Sequence, residues 1–333
     1  MQIVDPYDFV NQHVQGGNVC FLGHGDLRND YIDQISYRIA YLMLSRKFKK
    51  IVTEGNVKRF RVGGTVGVIN IDKEYLHSII SLEDIPEGDS YDYFKKLVAD
   101  RLKNVLDTDV DCFISVGGGV FHDSYDSIAL HRLAEMQFYL DKNVPVGVFP
   151  ISAYFSNKKL LTIFTNVIRQ CKFVMVRDAF TYKWLLSIGV DNVVLSWDLP
   201  LLETPHKPLQ EYSGRIGVIL TIDRISSKGF ENLLEKNNKK MMFFSTSPRK
   251  DERRLRYAAS ECGGEHVYAS SPDHLMDLIS SCSAIVSDKY GGIILSVLHG
   301  IPVIPLCGKD HSSRGFLEML SEFNFLSPLE IRK

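Results

Sequence analysis

The sequence lacks a C-x-x-C pair, a long apolar run and a charge excess of either sign. Its six cysteines (Cys20, Cys112, Cys171, Cys262, Cys282 and Cys307) are scattered, most of them in or beside apolar segments. That spacing argues against a metal site or a disulfide framework and reads as reduced core thiols of a cytoplasmic protein. No stretch approaches the roughly 20 apolar residues of a membrane-spanning helix. The segment MQIVDPYDFVNQHVQ has neither a basic n-region nor an apolar h-region, so no signal peptide is expected. A formal net charge of −1 gives no footing for a general nucleic-acid binder. Also missing is the third glycine of a G-x-G-x-x-G turn. Gly23-His24-Gly25 follows the strand-like NVCFL, but Arg28 stands where that glycine would be, so a dinucleotide fingerprint is not supported.

What is present is alternation of short apolar strands with helical segments, over 333 residues, a length that suggests two domains. Strands are predicted at Asn18–Leu22, Lys49–Thr53, Asp111–Val116, Val144–Phe149 (closed by Pro150), Phe173–Val176 and Val193–Leu195. The polar, proline-containing segment Leu202–Ser213 reads as a linker, after which the alternation restarts. Further strands are predicted at Ile216–Thr221, Met241–Ser245, Val267–Ala269, Ala284–Ser287 and Ile301–Leu306. Arg61–Ile71 reads as strand and turns, Glu83–Ser90 as a surface loop, and Gly229–Lys236 and Ser313–Glu322 as helices. Lys250–Cys262 is a basic amphipathic helix, read as a solvated face. Pro272–Cys282 is a helix with Ser271 as its cap. The expected fold is α/β, with two Rossmann-like domains of mostly parallel sheet facing across a cleft, as in GT-B-like folds. The expected boundaries are 1–201, a linker at 202–213, and 214–333, with the last helix able to pack back on the first domain.

Ligands of open parallel sheets bind where strands end and helices begin, so the rim turns hold the candidate residues. Ser283–Leu306 reads strand, polar turn, helix, strand. It places Ser287, Lys289, Gly291 and Gly292 at such a rim, although two glycines there also suit close helix–strand packing. Gly117, Gly118 and Gly119 follow a buried strand. Three glycines are costly in chain entropy, which points to a ligand or a neighbouring helix approaching the backbone. His122 and Asp123 come directly after. Arg177 heads a helix after another strand, placed to hold an anion or to pair with Asp178 or Asp198. Asp30, at the start of the first long helix, suits either the helix dipole or a substrate.

Three segments in this order resemble the polysaccharide pyruvyl transferase family: FISVGGGVFHDS, then VMVRDAFTYKWLLSIGV with NVVLSWDLPLL, then SAIVSDKYGGIILSVLHGIPV. The second is similar to the family's R-D-x-x-S-x-x-x-L-x-x-x-G helix, with Thr181 for the serine. In the third, the family's arginine aligns with Lys289 and its histidine with Gly291. Lys309 stands where the family often has a lysine before its last helix. The resemblance implies a transferase of cell-surface or exopolysaccharide biosynthesis. It would move pyruvate from phosphoenolpyruvate to a glycan sugar as a ketal, without a cofactor or metal. It implies donor contacts from Gly117–Gly119, Arg177, Ser287, Lys289, Gly291 and Lys309, with His122, Asp123, Asp198 and Asp30 to handle protons. A glycan or glycolipid acceptor admits peripheral membrane contact, and a homo-oligomer is compatible. Two alternatives stay open: a GT-B-type glycosyltransferase using a nucleotide sugar, and a non-catalytic relative that binds a glycan or anion.

Overall fold

The computed structural model describes residues 2–23, 30–53, 90–103, 110–220, 240–306, 315 and 317. The sequence readings at Arg61–Ile71, Glu83–Ser90 except Ser90 itself, Gly229–Lys236 and Lys309, and most of Ser313–Glu322, lie outside them. The chain divides into two compact units. One is Met1–Gly25 with Ser36–Asp198; the other is Asp26–Ile35 with Leu199–Lys333.

The first unit is built on a parallel sheet whose strands alternate along the chain with helices. Its strands are β1 (Gly17–Gly23), β2 (Phe48–Thr53), β3 (Cys112–Ser115), β4 (Gly118–His122), β5 (Val146–Tyr154), β6 (Phe173–Val176) and β7 (Val193–Leu195). They are ordered β2-β1-β3-β5-β6-β7, with β4 also beside β5. The helices are α1 (Pro6–His13), α2 (Tyr31–Leu44), α3 (Ser90–Lys103), α4 (Asp126–Leu140), α5 (Lys158–Ile168) and α6 (Ala179–Ser187). Of α2, Tyr31–Ile35 groups with the second unit. Strands β3, β5 and β6 are buried throughout or nearly so, which is why they read as continuous apolar runs rather than alternating ones.

One difference from the sequence reading is instructive. Pro150 does not close β5; the strand runs on to Tyr154, paired with β6 as far as Ile151 and with β4 from Ile151 onward. A proline has no N–H for the ladder. The register accordingly shifts there: one extra residue of β5 lies between the pairs Val148–Val174 and Ile151–Val176. The glycines are no tight rim turn either. β3 and β4 pair successively with the same strand, so the chain continues along β5 through Val116 and Gly117. A Cβ on Gly117 would stand 2.4 Å from the Pro150 carbonyl oxygen. Gly118, at φ 106°, occupies the region that favours glycine.

The second unit contains β8 (Ile216–Ile219), β9 (Met241–Phe243), α7 (Pro248–Glu261), β10 (Glu265–His266), α8 (Pro272–Ser281), β11 (Ala284–Ser287), α9 (Tyr290–Leu298) and β12 (Val303–Pro305). Its sheet order is β10-β9-β8-β11-β12, all parallel. Numbered within the unit this is 3-2-1-4-5, the doubly wound order whose switch point lies between the first and fourth strands, β8 and β11. Val218, Met241, Phe243, Leu255 and Val286 form its core. The strand expected at Val267–Ala269 lies two residues earlier, at Glu265–His266. Ser271 caps α8, accepting the His274 N–H at 3.0 Å.

Candidate functional site

In the first unit the R-D segment is locked from within. The Arg177 backbone N–H donates to Ile151 O at 3.1 Å. Its side chain donates through Nε to Ser152 Oγ at 2.9 Å and through Nη1 to Asp198 Oδ2 at 3.0 Å. Arg177 is 5% exposed and Asp198 1%. Asp178, fully buried, caps α6 by accepting the Thr181 N–H at 2.7 Å and its hydroxyl at 2.8 Å. Burial pushes the Asp178 carboxyl above its ordinary pKa, against the pull of its hydrogen bonds and the Arg177 charge. Thr181 Oγ1 also accepts the Ala153 N–H at 3.1 Å, tying α6 to β5. The motif therefore joins three elements with one ion pair and one hydroxyl. Ser152 carried no sequence signal.

His122 ends β4, and its Nδ1 accepts the Ser124 N–H at 3.2 Å. Asp123 accepts from Ser156 (N–H 2.8 Å, hydroxyl 2.6 Å) and from the Asn157 N–H at 3.2 Å. Burial acts to raise the Asp123 pKa, but these hydrogen bonds outweigh it and leave the group below the ordinary carboxylate value.

The second unit gathers more of the expected residues. Ser287 ends β11 at the switch point. Its hydroxyl donates to Ile219 O of β8 at 2.9 Å and accepts the Lys289 N–H at 3.0 Å. The turn into α9 is thus pinned to both strands that flank the switch point. Gly292 is required there, because a Cβ would lie 2.4 Å from Ser287 Oγ. At Gly291 a Cβ would lie 2.3 Å from Ile32 Cγ1, so the place of a side chain at 291 is filled by Ile32.

Lys289 Nζ forms an ion pair with Asp251 Oδ2 in the first turn of α7; the side chains are 17% and 22% exposed. Ser245 Oγ donates to the same oxygen at 2.5 Å and accepts the Ser247 N–H at 2.8 Å. Ser247 Oγ in turn donates to Asp30 Oδ2 at 2.7 Å, and Asp30 Oδ1 accepts the Ile32 N–H at 2.8 Å. Burial raises the Asp30 pKa, while the hydrogen bonds from Ser247 and Ile32 and the Lys289 charge oppose it. Asp30, Ser287, Lys289 and Gly291 therefore share one neighbourhood. Ser245, Ser247 and Asp251 belong to it as well, and the sequence reading missed them. Asp251 lay inside a helix read as a solvated basic face, and only the fold turns it inward. Among the described residues no group of three or more His, Cys, Asp or Glu could hold a metal ion. Among them, too, no helix is long and apolar enough to cross a membrane.

A family model described as polysaccharide pyruvyl transferase matches residues 16–306. No curated protein matches the chain. Among solved structures, a UDP-GlcNAc 2-epimerase from Neisseria meningitidis bound to UDP-GlcNAc superposes with a TM-score of 0.55 at 13% identity, covering 92% of this chain and 91% of that one. The enzyme of the same name from Methanocaldococcus jannaschii gives 0.57 at 11% identity, over 92% and 87%. The one from Rickettsia bellii gives 0.55 at 12% identity, over 89% and 80%. At these identities the likeness is one of fold: two Rossmann-like units of GT-B-like type, each built on a parallel sheet.

Proposed function

The chain belongs to the polysaccharide pyruvyl transferase family, and from that premise we propose that it moves pyruvate from phosphoenolpyruvate to a glycan sugar, in the cytoplasm, during cell-surface or exopolysaccharide synthesis. The observation that carries this reading is the family match over residues 16–306.

The reaction is an addition followed by a substitution. A proton goes to C3 of the enolpyruvate, making it a methyl group, while one sugar hydroxyl bonds to C2 and loses its own proton. A second hydroxyl then bonds to C2, the C2–O bond to phosphate breaks, and phosphate leaves with the second proton. The donor brings a phosphate and a carboxylate, so it needs a cation and oriented N–H groups. We assign the anion to the turn between β11 and α9, where Lys289 stands at the N-terminus of a nine-residue helix. Ser287 holds that turn in place, and Lys309, outside the described residues, stays a donor-binding candidate from the family resemblance alone. In the first unit Gly117–Gly119 and Arg177 stay the donor-side candidates, and His122, Asp123 and Asp198 the proton-handling ones.

A second reading, an anion-binding relative without turnover, has its own support. Position 291 has no room for the family's histidine, and Lys289 is already paired with Asp251. Calorimetric titration with phosphoenolpyruvate beside a panel of nucleotide sugars separates the possibilities. The pyruvyl-transfer reading expects selective phosphoenolpyruvate binding, weakened by about 2–5 kcal/mol in Lys289→Ala, and phosphate release once a glycan acceptor is added. Selective nucleotide-sugar binding overturns the donor assignment. Phosphoenolpyruvate binding with no phosphate release across glycan acceptors favours the second reading.

A further inference from the structure

Lys289 is the cation at the switch point of the second unit, and its charge is already matched. The partner is held ready: Asp251 Oδ2 also receives the Ser245 hydroxyl at 2.5 Å, and that hydroxyl is oriented by the Ser247 N–H at 2.8 Å. Asp251 also lies in the first turn of the 14-residue helix α7, where the backbone dipole favours a negative charge. A second carboxylate, Asp30, is close enough for the Lys289 charge to act on it, and Asp288 is the adjacent residue in the chain. A donor anion approaching Lys289 therefore meets a site whose positive charge is already neutralised by a fixed carboxylate.

We propose that Asp251 is a specificity-determining residue that occupies Lys289 in place of an anionic ligand, so that an anion binds by exchanging partners with it. The inference rests on the assignment of the donor anion to Lys289. It adds that the affinity of this site for anions is set by the β9–α7 connection and not only by the β11–α9 turn. Ser245 is the positioning residue, acting chiefly through its 2.5 Å hydrogen bond to Asp251, with a longer contact of 3.5 Å to Lys289 Nζ itself. The geometry has a direct chemical consequence: neutralising Asp251 leaves the ammonium beside Ser245 Oγ, to which Nζ also donates at 3.5 Å, with its charge available. Asparagine preserves the shape and retains an oxygen for the Ser245 hydroxyl.

The test is calorimetric titration of the full chain with phosphoenolpyruvate and, separately, with inorganic phosphate. The proteins compared are the wild type, Asp251→Asn, Ser245→Ala, and Asp251→Asn combined with Lys289→Ala. Asp251→Asn is expected to bind both probes at least about tenfold more tightly, a change of about 1.4 kcal/mol. Ser245→Ala is expected to change affinity in the same direction by a smaller factor, and the combined variant to lose the gain. Equal or weaker binding by Asp251→Asn, in protein whose far-ultraviolet spectrum and melting curve match the wild type, overturns the proposal. So does a gain that survives loss of Lys289. If Asp251→Asn misfolds, Ser245→Ala decides alone, and an unchanged affinity for phosphate overturns the proposal. Failure of the pyruvyl-transfer reading looks different: Asp251→Asn would still gain for both probes, but no variant, the wild type included, would prefer phosphoenolpyruvate to phosphate.

Discussion

Replacing Gly291 by alanine adds one methyl group where the structure has no space for it. The new Cβ would lie 2.3 Å from Ile32 Cγ1, 2.9 Å from its Cδ1 and 3.1 Å from Thr246 Cγ2. Two of these distances lie well inside the carbon–carbon optimum of about 3.5–4.0 Å. Ile32 cannot easily swing aside, because Cγ1 sits next to its branch point and the residue is only 6% exposed. Its backbone is held as well, with the Ile32 N–H on Asp30 and the neighbouring Tyr31 N–H on Thr246 O at 2.9 Å. Overpacking of this kind costs about 1–3 kcal/mol. Alanine's helix preference over glycine returns at most about 1 kcal/mol, so Gly291→Ala is expected to destabilise by about 1–2 kcal/mol. At about 2–4 °C per kcal/mol for a domain of 150–250 residues, the melting midpoint should fall by several degrees. Ile32→Ala alone removes buried methyl groups and should cost about 2–5 kcal/mol. The double variant should cost less than the sum by about 1–2 kcal/mol, because the added methyl enters the vacated space. Scanning calorimetry on the four proteins measures this cycle. A Gly291→Ala protein as stable as the wild type, or strictly additive effects, would refute the argument. By the same geometry, Gly291→His should be tolerated only together with a shortened residue 32.

Two further predictions concern buried charge. Asp198→Ala leaves the Arg177 guanidinium buried without its carboxylate and should cost about 3–5 kcal/mol in urea denaturation, whereas Arg177→Met with Asp198→Leu should cost less than either single change. A loss of under about 1 kcal/mol in the single variant would show that this pair does not hold the segment. Burial raises the Asp30 pKa, so the folded chain keeps that proton to higher pH than the unfolded chain, whose carboxyl titrates near about 3.9. Stability therefore falls as pH rises from that value through the raised pKa, and Asp30→Asn removes this component. Relative to the variant, the wild type should lose stability as pH rises above the unfolded-state value and through the raised one; parallel stability curves above about pH 4 would contradict the assignment.

The sequence made the β/α alternation plain, because strands such as Phe173–Val176 and Ala284–Ser287 are buried along nearly their whole length and leave uninterrupted apolar runs. The Ser271 cap was legible for a different reason: its hydrogen bond spans three residues. What stayed hidden was non-local. Pro150 looked like a terminator because proline costs a strand one hydrogen bond, and no local pattern reveals the register shift that accommodates it. Gly291 looked equally suited to a ligand or a neighbour, since Ile32 is more than two hundred positions away in the chain. Asp251 was hidden by its surroundings, a run of arginines and lysines whose average said surface while one carboxylate faced inward.

The same distant pairings constrain how the protein is made. The hydrogen bonds from Tyr31 to Ala269 and from Ser247 to Asp30 span 238 and 217 residues, and Ile32 must find Gly291. At about 5–20 residues per second of synthesis, residues 30–32 wait on the order of 10–50 seconds for these partners to be made. Until then Ile32 has no such hollow to fill. A fragment beginning at residue 199 would never receive it, so the second unit cannot be produced intact by cutting the chain at a single point.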